Sequence, residues 1–517
     1  MEACGIAGGT DAEIGLASVV SSTGVCSASD EERKFLCLLS DGRLLIAEGQ
    51  AMNPHVMSYR ARLERVKRPY RPVFATMETI ARAYEADPKT LVAEHTKMQA
   101  TAKELLNRAC GEHASDIHIR VRRYATEMYF RVHNDLIKVS DQTREYGERL
   151  LATMYGAMTA VSDNSYKPTE RQDASIGDRD KLPDTLYGVR IATAPTNEGN
   201  VMVLRLLYND AGNEMDLRRL GFTNLQSQIV QVLKEQPIGM NIISGPTGSG
   251  KSTSLQRILQ GKVMETRGRT HIITVEDPVE YPIEGAVQTP VTNASSEDER
   301  SRQFSAAISN AMRLDPDTIM IGEVRDKASA QSALRAAMTG HQVWTTVHAN
   351  SAVGVIDRLV DLGLPIGMVA DAGVVTGLIS QRLVKVLCPQ CKRGLLAHAH
   401  ELPAELVERV RRVAGSRLDE VAIAGPGCER CRGTGTAGRT VVAEVIRPDV
   451  TFYDLLRAGR KDDAMRHWRE ALGGMTIVQH AVDKTCAGQV DPRMAEQVVG
   501  HLCADGRREP AEAAYAH

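Results

Sequence analysis

An eight-residue segment with the pattern G-x(4)-G-K-[ST] constrains the fold of this chain more than any other feature. It reads GPTGSGKS, follows a short apolar run typical of a buried strand, and opens a segment with helical periodicity. Glycines in such a loop let backbone N–H groups face a polyanion, and the start of the helix adds a partial positive charge. Lys251 is then expected to reach the β- and γ-phosphates of a nucleotide, and Ser252 to bind Mg²⁺. The predicted nucleotide-binding residues are Gly245, Pro246, Thr247, Gly248, Ser249, Gly250, Lys251, Ser252 and Thr253.

Length and charge limit the classes of protein to which the chain can belong. Its 517 residues are enough for about three domains, and 43% apolar with 25% charged residues is ordinary for a globular chain. With 63 Lys and Arg against 65 Asp and Glu, the net charge of −2 favours neither nucleic acid nor an anionic membrane as a partner. No apolar stretch approaches the ~20 residues that span a bilayer, and residues 1–15 do not resemble a signal peptide. We therefore expect a cytoplasmic protein with no direct membrane span.

Residues 1–95 carry no motif with a chemical mechanism. They contain a basic stretch from Arg60 to Arg71, which is either a solvated face, the usual fate of a charge run, or a contact for acidic lipid or protein. We interpret this region as a small docking domain with an unidentified partner.

Residues 96–216 alternate apolar and polar side chains, as strands with one buried face do. The alternation runs over 117–121 and resumes over 128–132, which predicts a β-hairpin. Further strands are expected over 187–192 and 201–207. This pattern favours a separate, sheet-rich domain.

From residue 217 to residue 517, short apolar runs alternate with segments of helical periodicity. Such alternation predicts an α/β domain with a mostly parallel sheet and helices on both faces. Helices are expected over 304–312 and 328–339, and Gly340 is expected to end the second. The expected strands cover 238–243, 272–275, 319–321 and 343–347.

Two of these strands end in acids downstream of the glycine-rich loop. TVEDPVE contains Glu276 and Glu280, and TIMIGE ends in Glu323. Isolated acids at strand ends are usually solvated, but these follow the loop at the spacing of successive strands, so we expect them to bind metal and activate water. His341 and His348 bracket the next strand. They are candidates to sense the γ-phosphate, although a lone histidine is more often structural.

Four cysteines form two C-x₂-C pairs, Cys388 with Cys391 and Cys428 with Cys431. The pairs are separated by 428 − 391 − 1 = 36 residues, and four thiolates complete the tetrahedral shell of a structural Zn²⁺. The alternatives are a redox pair, which lacks a thioredoxin-like βαβ context here, or four inert buried thiols. The remaining six cysteines are expected to be ordinary reduced thiols: Cys4, Cys26, Cys37, Cys110, Cys486 and Cys503.

Four consecutive segments of the chain resemble the sequence boxes of the type II secretion and type IV pilus ATPases. GPTGSGKST, TVEDPVEY, DPDTIMIGEVRD and TGHQVWTTVHAN occur in the order of that family's Walker A, Asp, Walker B and His boxes. The resemblance spans about residues 110 to 445 and includes ASDIHI, YFRVHNDL and SQRLVKVLCPQC. It implies a RecA-like P-loop motor domain, an α+β, PAS-like sheet domain before it, a small N-terminal domain, and a zinc-bearing projection at 388–431.

The resemblance also implies roles for individual residues. Lys251 and Ser252 would serve phosphate and Mg²⁺, and Glu323 would be the metal-linked Walker B acid. Either Glu276 or Glu280 would activate water. The family's arginine fingers, which its N-terminal domain offers to nucleotide, match Arg190 and Arg205.

The function implied by the resemblance is ATP hydrolysis that powers assembly of a type IV pilus or a type II secretion pseudopilus. The implied cofactors are ATP, Mg²⁺ and Zn²⁺. The implied partners are five further copies in a homohexamer and an inner-membrane platform protein, through which the chain would associate with the inner membrane. A conjugative or type IV secretion ATPase shares every box but is disfavoured by the four cysteines. A zinc-knuckle protein that binds nucleic acid would explain the cysteines but not the boxes.

Overall fold

The computed structural model describes most of the chain and divides it into two compact units. Unit 1 comprises Met1–Pro183 and Gly188–Leu206, and unit 2 comprises Asp184–Tyr187 and Leu207–His517. No described helix is both long and apolar enough to cross a membrane. Residues 1–15, which are not expected to be a signal peptide, and Cys4 lie outside the described residues. The described residues are 19–21, 26–85, 88–133, 135–159, 165–209, 215–291 and 297–503.

The first part of unit 1 is a small three-stranded sheet whose first two strands are buried on both faces, whereas the third is largely exposed. Leu44 on one face packs against Tyr59, and Leu45 on the other packs near Ile80. Adjacent residues of one strand point to opposite faces, so a single short strand serves both cores. The elements are β1 (Leu36–Leu38), β2 (Arg43–Ala47), β3 (Arg71–Ala75), α1 (Asp30–Arg33), α2 (Pro54–Arg65), α3 (Met77–Glu85) and α4 (Pro88–Gly111). β2 pairs antiparallel with β1 and parallel with β3.

The second part of unit 1 is a six-stranded sheet. Its strands are β4 (Asp116–Val121), β5 (Ala125–Val132), β6 (Asp135–Thr143), β7 (Gln172–Ile176), β8 (Leu186–Thr196) and β9 (Gly199–Tyr208), and helix α5 (Arg144–Ala152) follows β6. Their order is β6-β5-β4-β9-β8-β7, and the pairs β4–β5, β4–β9, β5–β6 and β7–β8 are antiparallel. Ile117, Ile119 and Phe130 are fully buried while His118, Arg120 and Tyr129 are partly exposed, which confirms the predicted hairpin as β4 and β5. The two further predicted strands are confirmed as β8 and β9.

The core of unit 2 is a seven-stranded sheet, which confirms the predicted α/β class. The strands of unit 2 are β10 (Gly239–Ser244), β11 (Ile272–Glu276), β12 (Val287–Pro290), β13 (Thr318–Ile321), β14 (Gln342–Val347), β15 (Val375–Leu387), β16 (Arg393–Gly394), β17 (Ala422–Ile423) and β18 (Thr436–Ile446). The strand order in the seven-stranded sheet is β12-β11-β13-β14-β10-β15-β18, with every pair parallel except β15–β18. β16 and β17 form a separate antiparallel pair. The carboxyl ends of β10, β11, β13 and β14 therefore share one edge of the sheet.

Helices cover both faces of this sheet. Ile242, Ile319 and Val343 belong to one apolar cluster, and the residues after them along the strands, such as Ile243 and Trp344, belong to another. The predicted helices are confirmed as α9 (Glu297–Ala311) and α10 (Lys327–Met338), the second followed by Gly340 at φ +98°. The helices are α6 (Leu217–Leu220), α7 (Asn224–Glu235), α8 (Lys251–Glu265), α9 (Glu297–Ala311), α10 (Lys327–Met338), α11 (Ala352–Asp361), α12 (Ile366–Val369), α13 (Ala404–Ala414), α14 (Val450–Arg457), α15 (Lys461–Glu470), α16 (Ile477–Cys486) and α17 (Pro492–Val499).

Candidate nucleotide site and cysteine cluster

The glycine-rich loop joins the carboxyl end of β10 to the first turn of α8. Gly245, Gly248 and Gly250 have φ angles of +148°, +76° and +83°. A Cβ atom on Gly245 would lie 2.3 Å from the carbonyl oxygen of Gln381, closer than real Cβ atoms come to any neighbour. The chain therefore needs glycine where the strand turns into the loop. Lys251 begins the helix, as the motif predicts.

The side chain of Lys251 lies back over the loop. Its Nζ donates to the carbonyl oxygens of Gly245 at 2.8 Å and Pro246 at 3.1 Å. Burial lowers the pKa of the Lys251 ammonium, while the nearby carboxylates of Glu323 and Glu280 oppose that shift. The charges of Glu323 and Glu280, two of the three predicted acids, therefore act on the Lys251 ammonium.

Gln381 on β15 hydrogen-bonds to the backbone of the glycine-rich loop, a contact that the sequence did not predict. It is fully buried, and its Nε2 donates to the carbonyl oxygen of Ser249 at 2.8 Å. The sequence carries no distinct signal for this contact, because Gln381 stands between the polar residues Ser380 and Arg382 in SQRLVKVL. Ser249 is 3% exposed, and its Oγ has no hydrogen-bond partner among the described residues. A buried hydroxyl is costly to leave unpaired, so this orphan fits a loop that receives a phosphate oxygen.

The two acids of the TVEDPVE segment occupy different environments. Glu276 is 5% exposed, and its Oε1 accepts hydrogen bonds from Thr274 Oγ1 at 2.7 Å and Gln288 Nε2 at 2.9 Å. Burial raises the pKa of the Glu276 carboxyl above its usual range, although these hydrogen bonds oppose the shift. Glu280 is partly exposed and acts on the ammonium of Lys251. Of the two acids, Glu280 is therefore the more accessible, and it is the one whose charge acts on the loop lysine.

Glu323 follows β13 and takes part in a charged network. Its Oε1 lies 2.9 Å from His348 Nε2, and its Oε2 accepts from Arg325 Nε at 2.9 Å. Arg325 also lies 3.8 Å from the carboxylate of Asp277, which is 3.6 Å from Arg300. The structure thus brings together Glu323 and His348, as predicted, and adds Arg325, Asp277 and Arg300, which the sequence did not single out.

His341 does not belong to this edge of the sheet, which argues against the expectation that both histidines sense the γ-phosphate. It precedes β14, whereas His348 follows that strand. Its Nδ1 lies 3.2 Å from the carbonyl oxygen of Ala336 and 3.3 Å from Thr339 Oγ1, at the end of α10. At ~3.3 Å per residue, the strand separates the two histidines by roughly 20 Å.

The predicted arginine fingers lie in unit 1, whereas the glycine-rich loop lies in unit 2. Arg205 on β9 is half-exposed, and its Nε donates to Asp116 Oδ1 at 3.2 Å. Arg190 on β8 is opposite Ser175 of β7. Their action on nucleotide stays a prediction.

The four predicted metal-binding cysteines come together in unit 2. The Sγ atoms of Cys388 and Cys428, of Cys391 and Cys431, and of Cys428 and Cys431 are each 3.7 Å apart. All four sulfurs lie within 4.8 Å of one another. A tetrahedral Zn²⁺ with ~2.3 Å bonds to sulfur places its ligands about 3.8 Å apart, so the cluster fits zinc.

Backbone groups surround the sulfur atoms of this cluster. The N–H groups of Cys428 and Gly435 donate to Cys431 Sγ at 3.1 and 3.2 Å. Burial raises the pKa of the Cys431 thiol, but these donors outweigh it and lower that pKa to about 6. A Cβ atom on Gly425 would lie 1.7 Å from the carbonyl oxygen of Cys391, so the two knuckles approach each other through a glycine. The cluster therefore has the close sulfur spacing of a metal site, with backbone donors directed at Cys431 Sγ.

A glycine-rich loop between a parallel strand and a helix, with acids at the carboxyl ends of two further parallel strands of the same sheet, defines a P-loop nucleotide-binding protein. More narrowly, the chain belongs to the type II/IV secretion system protein family, whose model matches residues 92–499. The four sequence boxes predicted this family, and the match confirms it, together with the function of a secretion or pilus-assembly ATPase.

Individual relatives agree with this assignment. The type II secretion system ATPase E of Vibrio cholerae is 33% identical over 364 residues, which cover 70% of this chain and 67% of that protein. The type II secretion system protein E of Aeromonas hydrophila is 34% identical over 391 residues, covering 74% and 72% of the two chains. Among solved structures, the Legionella pneumophila ATPase DotB matches 76% of this chain and 93% of that chain, with a TM-score of 0.53 and 20% identity. The last comparison shows a shared fold.

Proposed function

We propose that this chain hydrolyses ATP to ADP and phosphate and uses the reaction to assemble a type II secretion pseudopilus or a type IV pilus. The observation that carries the proposal is the glycine-rich loop between β10 and α8, with Lys251 at the start of the helix and Glu323 after the carboxyl end of β13, a parallel strand of the same sheet. A lysine suited to binding phosphate and an acid suited to binding metal thus lie at one edge of the sheet. Steady-state phosphate release by the purified chain with ATP and Mg²⁺ tests it, and a chain that bound ATP without releasing phosphate would contradict it.

The residues around the loop have separate roles in this proposal. Residues 245–253 hold the phosphates through backbone N–H groups, and Lys251 contacts the β- and γ-phosphates. Ser252, in the first turn of α8, and Glu323 are the residues that would hold Mg²⁺. When bound, the metal neutralises charge on the phosphate oxygens. His348 and Arg325 keep the Glu323 carboxylate in place through their 2.9 Å contacts.

Glu280 is the better candidate to activate water. A general base must be ionised and within reach of the attacking water. Glu276 is buried, and its Oε1 already accepts hydrogen bonds from Thr274 and Gln288, so it fits a structural support for the TVEDPVE turn. Glu280 is partly exposed, and its negative charge opposes the lowering of the Lys251 pKa.

Replacing Glu280 with glutamine should therefore lower turnover by roughly 10²-fold or more, the usual contribution of a general base. ATP binding should persist because the phosphate loop is unchanged. Glu276→Gln should lower turnover much less, by roughly threefold or under, because the amide keeps one acceptor oxygen. Parallel phosphate-release and nucleotide-binding titrations compare the two variants. A larger loss of turnover in Glu276→Gln than in Glu280→Gln would indicate that Glu276, and not Glu280, activates water.

Arg190 and Arg205 are proposed as fingers that stabilise charge on the γ-phosphoryl oxygens in the transition state. Arg205→Ala should lower kcat on the order of 10²-fold while changing the affinity for ATP much less, because a finger meets its partner charge best in the transition state. Arg190→Ala should behave alike. Arg122→Ala is the matched control, since Arg122 is an exposed arginine of unit 1 paired with Glu127 and Glu198. Equal losses of binding and turnover would indicate ground-state binding instead.

The proposed working assembly is a homohexamer that acts with an inner-membrane platform protein. Residues 1–95 would dock to a partner, 96–216 would supply the arginine fingers, and 217–517 would form the motor, with the zinc module at 388–431. Rigid-body movement of such domains converts loss of phosphate into mechanical work. The chain would then associate with the inner membrane from the cytoplasm, through its partners.

Membranes that contain the platform protein should stimulate phosphate release if this assembly is right. The cysteine cluster supports the pilus and secretion branch over a conjugative ATPase, because it matches the tetracysteine module of that branch. Salt-dependent DNA binding without stimulation by membranes would instead favour a zinc-knuckle protein.

A further inference from the structure

A row of charged side chains crosses one face of the six-stranded sheet in unit 1. Asp116 on β4 is opposite Arg131 of β5 on one side and Arg205 of β9 on the other. β8 and β9 are neighbours joined by the turn at residues 197–198, and Arg190 and Arg205 each lie six positions from their end of that turn. Counting from the turn therefore sets Arg190 beside Arg205. Arg131, Arg205 and Arg190 therefore lie in one row with Asp116.

Asp116 is the buried member of the row. It is 6% exposed, whereas the side chain of Arg205 is 50% exposed. Asp116 Oδ1 accepts from Arg205 Nε at 3.2 Å, and Oδ2 accepts from Ser115 Oγ at 2.8 Å and lies 3.9 Å from Arg131 Nε. Both carboxylate oxygens are thus engaged, which fixes the orientation of the acid.

The contact between Asp116 and Arg205 uses only one edge of the guanidinium. The hydrogen bond is made by Nε, and among the described residues neither Nη atom of Arg205 has a hydrogen-bond partner. A guanidinium presents its two Nη groups to a phosphate in a planar fork. Asp116 therefore holds the base of the arginine while its outer face stays available.

We propose that Asp116 is a positioning residue that orients Arg205 for the transition state of ATP hydrolysis. The proposal rests on the finger role of Arg205 given under the proposed function. A long arginine side chain loses rotamer entropy when it is ordered, and a finger ordered in advance loses less of it during the reaction. The carboxylate also offsets the repulsion among three arginines in one row.

The test compares Asp116→Asn, Arg205→Ala and the double variant in the full-length chain. Asp116→Asn should lower kcat about tenfold and change KM for ATP by less than about twofold, because orientation matters most in the transition state. Adding Asp116→Asn to Arg205→Ala should lower kcat no further, since Asp116 would act through Arg205. The matched control is Glu198→Gln, which removes an exposed carboxylate from the β8–β9 turn and should leave kcat unchanged.

A purely structural role for Asp116 gives a different pattern. It predicts a lower melting temperature, and a loss of kcat that adds to the loss caused by Arg205→Ala. That result, or normal kcat in Asp116→Asn beside impaired Arg205→Ala, would overturn the positioning role and leave the proposed function intact. Normal kcat in Arg205→Ala would remove the finger role itself, and the positioning role with it.

Ser115→Ala provides a second variant if Asp116→Asn does not fold. It removes only the 2.8 Å hydrogen bond to Asp116 Oδ2 and keeps the negative charge. We expect a loss of kcat of about threefold with unchanged KM, and no further loss in the Arg205→Ala background. An unchanged kcat in Ser115→Ala would contradict the proposal.

Discussion

Replacing Lys251 with alanine should lower steady-state phosphate release by at least about 100-fold, equivalent to about 3 kcal/mol of transition-state stabilisation. The ammonium now donates to the carbonyl oxygens of Gly245 and Pro246 and is partly buried. When nucleotide binds, phosphate oxygens would replace these carbonyl oxygens as acceptors for the ammonium. A point charge in a partly desolvated site contributes far more than the same charge in water, because little solvent screens it.

The fold should survive this change. Lys251 begins α8, and alanine is the best helix former, so the helix loses nothing intrinsic. Lys327→Ala is a matched control, because Lys327 also begins a helix after a parallel strand but is exposed. Phosphate release is measured for both variants beside circular dichroism. Turnover of Lys251→Ala within a few fold of the parent chain would disprove the role of the loop lysine.

The parts of this site that the sequence predicted are those encoded locally. A strand, a glycine-rich turn and a helix N-terminus are consecutive in the chain, so residues 239–252 carry all the information needed to predict the loop. Glu323 is predicted for the same reason, since it follows a four-residue apolar strand. Parallel pairing then brings these ends to one edge without any further signal.

The misplaced histidine shows how strand direction limits such reasoning. His341 and His348 bracket one strand, so the sequence alone suggests that both lie near the same site. Only the carboxyl end of a parallel strand meets the loop, so a residue before the strand lies at the far edge. The contact of His341 with Ala336 and Thr339 follows from that position.

Contacts between distant segments could not be predicted from the sequence. Gln381 bonds Ser249 across 132 positions, and Arg205 bonds Asp116 across 89. Each depends on which strands become neighbours and in what register, and neither is visible in local periodicity. The orientation of the proposed finger and the support of the loop therefore became apparent only from the structure.

Removal of zinc should also have a large effect, which we expect on the stability of the segment that the metal closes and not on catalysis. We expect one Zn²⁺ per chain, held by Cys388, Cys391, Cys428 and Cys431. Four thiolates leave no position for water or substrate, so the metal would take no part in the ATP chemistry. Structural zinc sites of this kind contribute on the order of 10 kcal/mol to folding of the segment that they close.

The segment closed by this metal is well defined. Between the two knuckles lie β16, α13 and β17, and the sulfur atoms come together beside the glycine-rich return at residues 433–438. Leu395, Val410 and Ile423 of this segment pack in an apolar cluster with α16 and α17. Loss of the metal should loosen the knuckles first, because this packing holds the remainder of the segment.

The double variant Cys428→Ser with Cys431→Ser should therefore release zinc and increase hydrogen exchange over residues 388–436, while the loop at 245–252 still binds ATP. Cys26→Ser is the control, because Cys26 lies in unit 1 whereas the cluster lies in unit 2, and it should leave zinc content unchanged. Metal analysis of protein purified under reducing conditions without chelator gives the stoichiometry. A chain without zinc that shows the same exchange pattern as the parent would mean that the four thiols pack as a neutral cluster, since like charges 3.7 Å apart cannot all ionise without a cation between them.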